Sequence, residues 1–90
     1  MRFITSPNFQ RTIKKLHPNQ KKAVDAAVKT IAADPFVGSA KKGDLSGVFV
    51  LRFKISHLEW LLAYEIIDQE VILLLLVGPH ENFYRDLKRN

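Results

Sequence analysis

From Val48 the chain alternates. Phe49, Leu51, Phe53 and Ile55 fall on one side of an extended segment, and Val48, Val50, Arg52 and Lys54 on the other. "WLLAYEII" (60–67) predicts a further strand, "DQ" a tight turn, and "EVILLLLV" (70–77) another strand, apolar on both faces as a strand covered from either side would be. Three consecutive strands with short connections are expected to pair as an antiparallel meander. Upstream the period is helical. After a short alternating strand, "RFIT" (2–5), Ser6 is an N-cap and Pro7 a first helical residue, and Phe9, Ile13 and Leu16 recur on one helix face. A second helix is predicted from about Asn19 to Ala33. Val24, Ala27, Val28 and Ile31 form its inner stripe, while Lys21, Lys22, Asp25 and Lys29 face outward. The Asp34–Pro35 step stops it, because proline disfavours helical geometry in the residue before it. Residues 35–47, with glycines at 38, 43 and 47, are expected to be loop. "GPH" (78–80) ends the last strand, and "ENFYRDLKR" (81–89) is long enough for two helical turns.

The predicted order is therefore β-α-α-β-β-β-α. It is an α+β fold in which a helical hairpin lies on one face of a twisted antiparallel sheet, and 90 residues are expected to form a single domain, 1–90.

Composition narrows the chemistry. There is no cysteine, which removes thiol catalysis and cysteine-based zinc sites. The three histidines, His17, His57 and His80, have no metal-ligand spacing, so neither a metal nor any other cofactor is expected. The N-terminal segment lacks the apolar core of a signal peptide, and the longest apolar run, seven residues, is far below the roughly 20 of a membrane span. A soluble, cytoplasmic protein with no membrane partner is expected. The charge is uneven. Residues 1–43 hold nine Lys/Arg against two Asp, and residues 44–90 hold five against seven Asp/Glu, giving +5 overall. A basic half attracts polyanions, although many basic helix faces are simply solvated.

His80 is the leading candidate for proton transfer, because it stands where a buried strand ends and because imidazole exchanges protons near neutral pH. If a helix begins at residue 80, Tyr84 shares its face. Arg52 and Lys54 share a strand face, and Arg85 could clamp a phosphate. His57 and Glu59 lie just before Trp60. Trp60, Tyr64 and Phe83 are expected in the core, and His17 in a structural turn.

The order of elements, the "GDLSG" loop (43–47) leading into an alternating strand, "WLLAYEI" (60–66) before an apolar strand, and the histidine-aromatic ending "HENFY" (80–84) resemble the RelE/ParE toxins of type II toxin–antitoxin modules, most closely their YafQ/RelE-like branch. The likeness spans nearly the whole chain and is best from Gly43 to Arg89. It implies a toxin held inactive by a cognate antitoxin, with the ribosome and messenger RNA as partners and metal-independent cleavage of the RNA as its activity. The antitoxin is expected to be an acidic segment folding onto the basic helices or the sheet edge. The resemblance makes His80 the catalytic acid or base with Tyr84 beside it, transfers functional roles to His57 and Glu59, and gives Arg52 and Lys54 the RNA backbone. The chain departs from the pattern twice. Leu61 replaces an arginine common in RelE members, and Lys41, Lys42 and Asp44 stand in a loop where some YafQ-like members carry a histidine. Both departures argue against a RelE-like mechanism and for either a histidine-centred one or weak nuclease activity. The ParE branch, which poisons DNA gyrase without nuclease chemistry, and an inactive binding-only member are the alternatives.

Overall fold

Ser6 joins the first strand to the first helix and fixes both. Its hydroxyl accepts from the Phe9 N–H at 3.0 Å and donates to the Leu75 carbonyl at 2.7 Å, so one side chain caps a helix and ties it to a strand 69 residues away. The computed structural model describes residues 1–89. In chain order its elements are β1 (Arg2–Thr5), α1 (Pro7–Lys15), α2 (Pro18–Ala33), β2 (Ser39–Ala40), β3 (Val48–Ile55), β4 (Leu58–Asp68), β5 (Val71–Pro79) and α3 (Phe83–Lys88), with a 3-10 turn at Gly43–Leu45. His17 is the N-cap residue of α2, and its backbone N–H donates to the Gln20 side-chain oxygen at 2.8 Å.

The strands form one sheet in the order β1-β5-β4-β3-β2. The predicted meander is present as β3, β4 and β5, paired antiparallel. Two pairings lie outside the periodicity. β1 runs parallel to β5, Arg2 opposite Val71 through Thr5 opposite Leu74, which makes the sheet mixed. The loop between α2 and β3 contributes a two-residue edge strand, β2, against Phe49 and Val50.

Both faces of the sheet are covered. On one, Phe9 of α1 and Val24, Ala27 and Ile31 of α2 pack over Ile55, Trp60, Leu62, Tyr64, Ile72, Leu74 and Val77. On the other, Phe83 and Leu87 of α3 pack over Val48, Val50, Leu61 and Ala63. Five successive β4 residues, Trp60 to Tyr64, are consequently 5% exposed or less. Trp60, Tyr64 and Phe83 are core residues, as their positions predict.

Tyr64 also organises the loop after α2. Its buried hydroxyl donates to the Pro35 carbonyl at 2.7 Å and accepts from the Gly38 N–H at 3.0 Å. Its ring stacks on Phe49 at 5.6 Å, and Phe49 receives the edge of Phe36 at 5.9 Å. Gly38 is required by close approach, since a Cβ there would lie 2.7 Å from the Tyr64 hydroxyl and 3.1 Å from the Val50 carbonyl carbon. Burial pushes the Tyr64 phenol above its ordinary value, with the Asp34 carboxylate adding to the rise and the Gly38 N–H opposing it.

Tyr64→Phe leaves the Gly38 N–H and Pro35 carbonyl unpaired and should cost about 1–3 kcal/mol in denaturant unfolding. Gly38→Ala should cost a comparable amount, about 1–3 kcal/mol, by overpacking. Because the folded phenol holds its proton to higher pH than the unfolded one, its contribution is complete below about pH 10 and is lost as pH rises through the folded value. The wild-type stability curve should therefore fall more steeply above pH 10 than that of Tyr64→Phe.

Candidate functional site

The strand pairing sets out the site. Val48 faces Glu65, Val50 faces Ala63, Arg52 faces Leu61 and Lys54 faces Glu59 across β3 and β4. Cross-strand partners share a face of the sheet, and this is the face on which α3 lies. The helix covers the rungs of Val48, Val50, Leu61 and Ala63. Beyond it the same face turns polar, with Arg52 and Lys54 exposed and Glu59 half-buried.

His80 stands at this open end. Its backbone N–H donates to the Glu59 carbonyl at 3.0 Å, which fixes the residue to β4. Its Nε2 lies 3.8 Å from Glu59 Oε1, and its ring meets the Tyr84 ring edge-on at 6.3 Å. The His80 side chain remains 54% exposed. The Lys41 ammonium lies 5.5 Å from the centre of the Tyr84 ring, within range of a cation–π attraction. Arg52 and Lys54 thus lie on the same face as Glu59, Lys41 reaches Tyr84, and the solvent-reachable His80 imidazole is backed by the Glu59 carboxylate.

The structure brings His80, Tyr84, Glu59, Arg52 and Lys54 to this one face, and it corrects how the first two meet. The helix starts at Phe83, so His80 and Tyr84 do not share a helical face. They are brought together by a tight turn in which the Phe83 N–H donates to the His80 carbonyl at 3.2 Å and Asn82 adopts φ 63°. Asparagine tolerates this left-handed geometry better than most residues.

His57 occupies a turn, apart from the groups just described. With Ser56 it forms the two-residue turn between β3 and β4, at φ 72° and 50°, and among the described residues no bond or ring contact ties it to His80. Arg85 is exposed and lies 3.7 Å from Asp86, and no hydrogen bond or ion pair joins it to His80 among the described residues. Leu61 is fully buried beneath α3. Lys41 was not among the candidates. Its only sequence signal is a lysine pair before the glycine-rich loop, and contact with Tyr84 depends on how that loop folds back. Among the described residues no group of three His, Asp or Glu is positioned to hold a metal ion. Among the described residues no helix is long and apolar enough to cross a membrane.

Arg52 and Lys54 are spaced along β3, Lys41 stands on the loop after β2, and the His80 ring sits at the rim. Comparison with known proteins gives this arrangement a context. Residues 3–88 match the family described as ParE-like toxin of type II bacterial toxin–antitoxin systems, and the chain belongs to that family. Among curated proteins no sequence matches.

Several solved structures share the fold. A double arginine-to-alanine mutant of the Escherichia coli toxin RelE in the free state superposes with a TM-score of 0.74 at 16% identity, over 97% of this chain and 93% of that one. The Mycobacterium tuberculosis toxin–antitoxin complex RelBE2 gives 0.70 at 24% identity, over 87% and 95%. The intact E. coli RelBE complex gives 0.70 at 16% identity, over 88% and 95%. The chain is thus a ParE-like toxin of the type II toxin–antitoxin class, and it shares its fold with RelE toxins.

The hold of α3 on the face is testable. Leu87 is 5% exposed and anchors the last turn of a six-residue helix. Leu87→Ala should free residues 83–88 by local opening while the meander stays folded. Hydrogen exchange would show faster amides in α3 and unchanged protection in β4.

Proposed function

We propose that this toxin cuts messenger RNA on the ribosome, with His80 carrying the proton transfer. The observation that supports this most directly is the half-exposed His80 ring, held between Glu59 and Tyr84 at the edge of a cationic sheet face. In the reaction, a base removes the proton of a ribose 2′-hydroxyl. The freed oxygen attacks the adjacent phosphorus, and the bond to the 5′-oxygen breaks as that oxygen takes up a proton. His80 can serve at either proton transfer. The Glu59 carboxylate lies 3.8 Å from Nε2 and can hold the ring in place. Arg52, Lys54 and Lys41 offset the charge that builds on the phosphate, and preorganised cations of this kind are commonly the larger contribution. Tyr84 walls one side of the imidazole and is available to stack on a base. The separate positions of His57 and Arg85 leave them, in this reading, to contacts with RNA outside the proton-transfer centre.

A second reading is favoured by the family match itself, which is to the ParE-like model. By resemblance that branch acts on DNA gyrase and needs no proton carrier. The two readings separate in one experiment. Wild type and His80→Ala are induced in cells, RNA ends are mapped, and gyrase-dependent DNA breaks are assayed. In-frame cuts in translated messages that drop by about 10²–10⁴-fold in His80→Ala support the nuclease. Gyrase-linked breaks that persist in His80→Ala, without RNA cuts, overturn it. Arg52→Ala and Lys54→Ala should weaken RNA binding and flatten its dependence on salt, by roughly one counterion for each cation lost.

A further inference from the structure

At the other end of the sheet from His80 the surface has a different character. Phe36 is 70% exposed, Ile67 52% and Val37 42%. Pro35, Phe36, Ile66, Ile67, Asp68 and Gln69 line an open cavity of about 450 Å³. Glu59 and Ile67 are eight residues apart on β4, so this patch lies roughly 26 Å along the strand from Glu59.

Phe36 is not a floppy loop residue. The carbonyl before it and the amide two residues after it are both bonded to the buried Tyr64 hydroxyl, at 2.7 and 3.0 Å. Its own N–H donates to Asp34 Oδ1 at 3.1 Å, and the Val37 N–H donates to the Asp34 carbonyl at 3.0 Å. Its ring rests edge-on against Phe49, which stacks on Tyr64. A large aromatic ring is thus presented to solvent by a backbone with little freedom left to lose. Such rings make strong anchors for protein partners, because little ordering entropy remains to be lost on binding.

We infer that Phe36 and Ile67 form the anchoring surface for the cognate antitoxin, and that they receive an apolar side chain flanked by Lys or Arg from its toxin-binding segment. The inference rests on the chain being the toxin of such a module and not on its being a nuclease. Charge selects the occupant. Asp68 lines the cavity and Asp34 begins the loop, both exposed, so the rim repels phosphate and disfavours RNA. A second copy is also disfavoured, because a two-fold contact would set this acidic rim against itself. A partner segment with an apolar side chain and basic neighbours satisfies both parts of the surface. The exposed β2 edge, Ser39–Ala40, begins two residues after Val37 and offers that segment backbone partners.

The test titrates purified toxin with the full-length antitoxin of its own module by calorimetry. Phe36→Ser combined with Ile67→Ser should weaken binding at least about 30-fold. Thermal unfolding should remain cooperative, since both side chains are largely exposed. Asp68→Lys should weaken binding as well, by charge reversal. An unchanged Kd for the double variant overturns the inference, as does tighter binding by Asp68→Lys. Ultracentrifugation that finds a wild-type dimer abolished by Phe36→Ser overturns it too, by assigning the patch to a second copy. RNA cleavage by the double variant should equal that of wild type. If neither protein cuts RNA, the nuclease reading fails while the affinity measurement still decides the anchor.

Discussion

The central constraint is that β4 must be dry on both sides. From Trp60 to Tyr64 every side chain is apolar or satisfied and none is exposed, so the sheet needs a cover on each face. The hairpin of α1 and α2, 9 and 16 residues long, provides a full cover on one. The other has only α3, whose six residues span about 9 Å against about 36 Å for the 11 residues of β4. A helix that short can dry only part of the face. The sequence changes where the cover ends, from Val50 to Arg52 on β3 and from Leu61 to Glu59 on β4. The open cationic face is the remainder of an incompletely covered sheet, and its residues can be charged because no helix lies over them.

Two turns bring the remaining groups to that opening, and both hold non-glycine residues at positive φ: Ser56 and His57 between β3 and β4, and Asn82 before α3. Side chains at such positions cost about 1 kcal/mol or more each, and glycine would relieve the cost. At Asn82 the geometry has a visible consequence, since it reverses the chain so that Tyr84 returns to His80. At the β3–β4 hairpin the paired positive φ values are those of a type I′ turn, which matches the twist of the strands it joins and keeps Lys54 opposite Glu59.

The elements carried by strong periodicity were legible in the sequence. Phe9, Ile13 and Leu16 mark one helix, Val24 to Ile31 another, and the alternation from Val48 to Ile55 sorted Arg52 and Lys54 from the core residues correctly. What depends on contacts between distant segments was not legible. Nothing within "RFIT" says that it lies beside and parallel to β5, because that choice is made by where α1 carries the chain and by the bond from Ser6 to Leu75. The spacing of four between His80 and Tyr84 suggested a helix, yet the backbone achieves the same proximity with a turn, since ring-to-ring distance does not report how the chain gets there. Lys41 was invisible for the same reason. A lysine in a loop acquires a role only when the loop's return path sets it over an aromatic ring.

Tyr64 connects these separate features. Its ring belongs to the hairpin-side core, its hydroxyl fixes the loop that carries Phe36, and its strand holds the carbonyl of Glu59 that anchors His80. The two proposed surfaces therefore lie toward opposite ends of β4. That separation has a consequence for control. A cationic face offers an inhibitor charge more than apolar area, and charge alone binds weakly at physiological salt. An inhibitor that takes its affinity from an apolar anchor about 26 Å along the strand from Glu59 can reach back over the cationic face with a weakly bound acidic segment, because the second contact is then intramolecular and governed by effective concentration. Substrate and antitoxin could then be discriminated by different physics, the one by phosphate charge and the other by buried aromatic surface.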